Sequence, residues 1–72
     1  MNITIKMGTQ AAKCNAEGVF SSNMRPNIYT LETVCKVVKT SCAQEATGKA
    51  YRWYVVEYYG GYSFVTTQDI VK

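Results

Sequence analysis

The chain opens on an alternation. Ile3, Ile5 and Met7 are apolar, Asn2, Thr4 and Lys6 are polar, and this period of two reads as a half-buried strand. Gly8-Thr9 follows, and glycine at the first position suits a two-residue type II′ turn. Folding back on that turn sets Met7 opposite Gln10, Ile5 opposite Ala12 and Ile3 opposite Cys14. Residues 2–16 then form a hairpin. Ile3, Ile5, Met7, Ala12, Cys14 and Ala16 share one face, and Asn2, Thr4, Lys6, Lys13 and Asn15 share the other. A rival reading caps a short helix over residues 11–17 with Thr9 and closes it at Gly18. The hairpin is preferred because its turn and its pattern agree.

Residues 19–27 read as a connection, with room for a short strand at Val19-Phe20. The run SSNMRPN, residues 21–27, has the serine, asparagine and proline of a loop. The next pattern changes period. Leu31, Val34, Cys35, Val38 and Cys42 recur at helical spacing, with Glu32, Lys36, Lys39, Thr40 and Gln44 between them. Thr30 is a capping residue, Glu32 suits the positive end of a helix dipole, and Gly48 is a natural stop. Glu32 and Lys36 form a favourable i,i+4 pair. The spacing predicts a helix over Thr30–Ala46 and outweighs the β-branched valines within it.

Residues 50–71 predict a second hairpin. AYRWYVVEYY and YSFVTTQDIV are rich in strand formers, and Gly60-Gly61 fits a type I′ turn with positive φ at both central positions. That turn sets Tyr59 opposite Tyr62, Glu57 opposite Phe64, Val55 opposite Thr66 and Trp53 opposite Gln68, on one face with Tyr51. The other face pairs Tyr58 with Ser63, Val56 with Val65, Tyr54 with Thr67 and Arg52 with Asp69. Glu57 decides between them, because a buried unpaired carboxylate is costly. Tyr54, Val56, Tyr58, Val65 and Val71 are therefore expected inside. Tyr51, Trp53, Glu57, Tyr59, Tyr62 and Phe64 are expected outside. The expected fold is α+β: β-β-α-β-β, a four-stranded antiparallel sheet with one helix packed on one face.

Length and composition narrow the picture. Seventy-two residues make one domain, spanning 1–72. No apolar run approaches a membrane span, and the N-terminus lacks the basic-then-apolar order of a signal peptide. The expectation is a soluble, intracellular, cytoplasmic protein, although a mature secreted chain would also lack its signal. Three cysteines, Cys14, Cys35 and Cys42, are an odd count for a disulfide framework. On one helix, Cys35 and Cys42 would stand about 10.5 Å apart along the axis, beyond bridging reach. Only Cys14 could bridge with one of them. Three reduced thiols packed as small hydrophobes is the preferred reading.

The residues also exclude chemistry. There is no histidine, hence no Ser-His or Cys-His dyad and no HExxH site. No CxxC occurs, and the acids Glu17, Glu32, Glu45, Glu57 and Asp69 are scattered singly. Gly60-Gly61 has neither the spacing nor the following helix of a phosphate loop. Asn2-Ile3-Thr4 is a formal glycosylation sequon without meaning in an intracellular protein. The expectation is a non-enzyme without cofactor or metal.

Binding remains. Tyrosine and tryptophan are favoured interface anchors, and Glu57 among them suits a basic partner residue. The expected partner-binding set is Tyr51, Arg52, Trp53, Glu57, Tyr59, Tyr62 and Phe64, edged by Lys49. An aromatic sheet face also stacks unpaired bases, and Lys6, Lys13, Lys49 and Arg52 could meet phosphates. The net charge of +3 is low for that role, and Glu57 opposes it, so nucleic acid is the second choice. The plainer alternative is that half of the aromatics simply fill a small core. A homodimer through an edge strand or the aromatic face is a further form of protein binding. In outline only, the size, the missing catalytic machinery and the β-β-α-β-β reading resemble the small accessory or inhibitor proteins of phages and mobile elements, anti-CRISPR proteins among them. That resemblance implies steric occupation of a larger host protein's surface, in the host cytoplasm.

Overall fold

A computed structural model describes residues 1–20 and 25–72. Six strands form one antiparallel sheet: β1 (Asn2–Ile5), β2 (Gln10–Cys14), β3 (Asn27–Ile28), β4 (Thr33–Gln44), β5 (Ala50–Tyr58) and β6 (Gly61–Thr66). Their order across the sheet is β1-β4-β5-β6-β2-β3. A 3-10 turn over Thr67–Asp69 follows β6. The sheet curls into a half-barrel. Beyond the 3-10 turn, Ile70 bridges Ile5, the Lys6 N–H donates to the Asp69 carbonyl at 2.8 Å, and the Val71 N–H donates to the Thr4 carbonyl at 2.9 Å. The chain end thus lies along the outer edge of β1.

The α+β expectation is overturned. Among the described residues there is no α-helix, and the segment predicted as one is the longest strand, β4. Thr33, Val34, Val37, Val38 and Thr40 are β-branched, stiff at χ1 and suited to a pleated surface. The apolar residues that share one helical stripe divide between the two faces of the strand. Cys35 and Val37 alternate inward onto the core, while Val34 and Val38 face out. A bulge between Val37 and Lys39 then shifts the register against β5. A helix would leave β1 and β5 without the neighbour that β4 gives both.

The first predicted hairpin has its strands in place and its pairing wrong. β1 and β2 do not pair with each other. β1 pairs with β4, setting Ile3 opposite Cys35 and Ile5 opposite Thr33. β2 pairs with β6 on one side and β3 on the other. Ala11, not Ala12, is the buried alanine, and Met7 is exposed. The Gly8 N–H donates to the Tyr29 carbonyl and the Tyr29 N–H to the Thr9 carbonyl, so this corner is built on Tyr29. The short helix over residues 11–17 is absent. Phe20 makes one bridge to Cys14, and Ser21 to Met24 of the predicted loop lie outside the described residues.

The second hairpin forms, one residue earlier than predicted. Tyr58 faces Gly61, so the central turn residues are Tyr59 and Gly60, at φ 42° and 78°. Glu57 then faces Tyr62, Val55 faces Phe64 and Trp53 faces Thr66. The register moves by two residues, and a shift of two returns every side chain to its own face. Tyr54, Val56, Tyr58 and Val65 point inward as expected. They pack with Ile5, Ala11, Tyr29 and Cys35, and with Ile3 and Val37 at the margin. Val71 is only half-buried. The expected Arg52–Asp69 pair is absent: Arg52 donates to Thr40 Oγ1, and Asp69 accepts the Thr66 N–H at 2.9 Å to close the 3-10 turn.

One polar cluster lies in the core. Asn27 Nδ2 donates to Ser63 Oγ, and both side chains are buried. The Tyr29 hydroxyl is buried beside them and has no hydrogen-bond partner among the described residues. Burial raises the Tyr29 phenol well above its ordinary value and raises the Cys35 thiol for the same reason.

Candidate functional site: an aromatic face outside the barrel

The outer face of β5 and β6 carries a second, smaller cluster. Trp53 and Phe64 stack with ring centroids 5.4 Å apart and planes 27° apart. Phe20 meets Phe64 edge-on at 5.0 Å and 83°. Both are preferred aromatic geometries. Beneath them Val55 is fully buried, although it points away from the main core.

The loop between Cys14 and Phe20 accounts for that burial. Asn15 Oδ1 accepts from the Glu17 N–H at 2.9 Å and the Val19 N–H at 3.0 Å. The Asn15 N–H donates to the Val19 carbonyl, and the Gly18 N–H to the Asn15 carbonyl. This asparagine-centred turn needs Gly18 at φ 88° and folds the loop over the sheet. A Cβ at Gly18 would lie 3.3 Å from Val55 Cγ2, so the backbone itself covers the valine. Lys39 Nζ reaches the Glu17 carbonyl at 3.4 Å and ties the loop to β4. Cys14 is buried beneath the same loop, which raises its thiol. Phe20 is delivered to the sheet with 57% of its surface exposed, and Val19 beside it is exposed too.

This chain matches no family model, no curated protein and no solved structure. What the face does is therefore read from its own geometry.

The structure divides the eight residues predicted for partner binding. Trp53, Glu57, Tyr62 and Phe64 share the outer face, with Glu57 exposed and directly opposite Tyr62. Tyr51 and Lys49 lie at the far end of β5. There they line an open groove of about 830 Å³ together with Lys6, Ile70 and Lys72. Tyr59 stands at the hairpin tip with 91% of its surface exposed, where it meets Tyr58 edge-on and not the Trp53 cluster. Arg52 belongs to the opposite face, where Thr40 and Thr67 hold it by side-chain and backbone bonds.

Phe20, Val19 and Lys39 were missed. Phe20 is remote in sequence from the second hairpin, and no period links the two. The available signal was Asn15 with Gly18, a turn pair that folds the chain back before an apolar dipeptide. Among the described residues, no group of three or more metal-ligating side chains comes together, and no helix is long and apolar enough to cross a membrane.

Proposed function

We propose that this chain is a small binding protein that occupies the surface of a larger protein through the outer aromatic face. The observation that supports this is the assembled cluster of Trp53, Phe64 and Phe20, outside the core and partly exposed. Aromatic side chains with few rotatable bonds supply contact area at low entropic cost. Here they are already stacked, so little ordering remains at the moment of binding. Trp53 and Phe64 are the anchors, and Phe20 and Val19 extend the apolar contact. Glu57 and Lys39 border it with one charge of each sign, which sets orientation and partner choice more than affinity. The action is steric, with no bond made or broken. Inhibition of a host system by a phage-type protein is one such action; of the outline resemblance that suggested it, the size and the missing catalytic machinery remain, and the β-β-α-β-β order does not.

The test uses Phe20→Ala and Trp53→Ala. A partner captured from the native host is purified, and its affinity for each variant is measured by calorimetry. Each variant is expected to lose at least about tenfold, the magnitude of an interface anchor. Phe20→Ala should keep the melting temperature within a few degrees, because the ring is more than half exposed. Unchanged affinity in both variants refutes this face. Tight binding to single-stranded oligonucleotides that falls steeply with salt would replace protein by nucleic acid as the ligand.

A further inference from the structure

Strand β4 is twelve residues long, and β1 covers only its beginning. β1 pairs with Thr33 to Lys36, and the last bond on that side runs from the Val37 N–H to the Met1 carbonyl. From Lys39 to Gln44, β4 pairs with β5 on one side. Among the described residues nothing pairs its other edge. Alternate residues of this stretch therefore present N–H and C=O groups outward, as a template for another strand. The stretch contains no proline or glycine and one charge, Lys39. The bulge at Val38 lies at the start of the free edge, so Lys39 to Gln44 run regularly.

We propose that this edge pairs antiparallel with the same edge of a second copy of the chain, continuing the sheet across a two-fold axis. Such a contact is isologous and closes after two copies. Its register follows from two constraints. In an antiparallel ladder, opposed residues either both bond across or both turn away, so the axis must pass through a residue. The charges then select which one. An axis at Cys42 sets Ser41 against Ala43, Thr40 against Gln44 and Lys39 against Glu45 of the second copy. Two cross-strand pairs of opposite charge result, and such pairs favour a register. An axis at Ser41 sets Lys39 against Ala43, and one at Thr40 drives the Val38 bulge into the ladder. Neither brings opposite charges together. Lys39 is exposed, and among the described residues its side chain makes one hydrogen bond, the long one to the Glu17 carbonyl, which it gives up to reach Glu45. The area buried is small, so the dimer is reversible and concentration-dependent.

The axis at Cys42 makes the proposal measurable, because this thiol is exposed while Cys14 and Cys35 are buried. Opposed Cα atoms in an antiparallel ladder stand about 4.5–5.5 Å apart, within disulfide reach. Mild oxidation of the full chain should give a Cys42–Cys42 dimer, and Cys42→Ser should abolish it. Sedimentation under reducing conditions should show a monomer–dimer equilibrium. Lys39→Glu, at an exposed site, places like charges across the axis twice and should weaken the dimer at least about tenfold. Adding Glu45→Lys should restore it. A monomer at every concentration overturns the proposal and leaves the edge to a different strand. It is equally overturned by a dimer that ignores Lys39→Glu. So it is by a crosslink that forms as fast from Thr47→Cys in the Cys42→Ser background, which would indicate random collision.

Discussion

Gly18→Ala probes the link between backbone geometry and the aromatic face. The new methyl group meets two obstacles. Gly18 sits at φ 88°, where an L side chain costs about 1–2 kcal/mol. Its Cβ would also stand 3.3 Å from Val55 Cγ2, inside the optimal carbon–carbon separation of roughly 3.5–4.0 Å. Val55 is fully buried and cannot swing aside, so the contact adds about 0.5 kcal/mol or more, in the range of a strained rotamer. The sum is about 1.5–2.5 kcal/mol, or roughly a 10 °C fall in melting temperature for a chain of this size. Gly48 is the control, because it has φ 87° and open space around the site of its missing Cβ. Gly48→Ala should show the backbone cost alone. Chemical denaturation of both variants gives the difference directly. The double variant Gly18→Ala, Val55→Ala closes the cycle and should be less destabilised than the two single changes summed. Equal losses in the two glycine variants would refute the contact with Val55, and no loss in either would refute the left-handed turns.

Further outcomes follow from the core and the thiols. Ser63→Ala removes the nearer acceptor of the buried Asn27 amide, leaving the Tyr62 carbonyl at 3.5 Å, and should cost about 1–3 kcal/mol in chemical denaturation; a neutral result would show that the Tyr62 carbonyl alone satisfies that amide. Tyr29→Phe removes a buried hydroxyl that has no hydrogen-bond partner among the described residues, so stability at neutral pH should stay level or rise by up to about 1 kcal/mol. Burial raises the Tyr29 phenol and the Cys14 and Cys35 thiols, so the folded chain holds their protons more tightly than the unfolded one. Their stabilising share is complete below the ordinary thiol and phenol values and is lost as pH rises through the folded ones. Denaturation midpoints should therefore fall above about pH 9, and less steeply in Tyr29→Phe. Thiol titration of the native protein should find Cys42 reacting at once, with Cys14 and Cys35 following only on unfolding.

The strands were legible where one period ruled alone. Asn2 to Ile5 alternate cleanly, and the sequence locates that strand; Ala50 to Tyr58 are apolar on both faces and are located by their density of strand formers. The inward face of β5 was legible through one residue, since Glu57 made the alternative too costly. Even the misplaced turn did little harm. Gly60-Gly61 has the better composition, but Tyr59 accepts positive φ, and the two-residue change of register preserves both faces. β4 was misread because Leu31, Val34, Cys35, Val38 and Cys42 fit a helical stripe, whereas on the strand Cys35 faces in and Val34 and Val38 face out. The deciding facts lie elsewhere in the chain: β1 and β5 both need that segment as a neighbour. Pairing of β1 with β4 and of β2 with β6 is equally non-local. A turn signal such as Gly8-Thr9 reports a change of direction and not the identity of the partner. The aromatic face was half legible for the same reason, since Phe20 joins it through a loop that leaves β2, a strand remote in sequence from the second hairpin.

The strand order also sets a timetable. The segment from β4 to β6 is a meander whose strands pair with their neighbours in sequence, and such hairpins close in microseconds. β1 and β2 are synthesised first, yet their partners come late: β2 needs β6, and Ile5 meets Ile70. At roughly 5–20 residues per second, ribosomal synthesis of these 72 residues takes about 4–15 s. Until β4 and β6 have been made, β1 and the β6-facing edge of β2 lack their partners. Asn2, Thr4, Lys6 and Lys13 then matter beyond the folded state. Polar and cationic side chains spaced along a waiting strand act as gatekeepers against association between nascent chains.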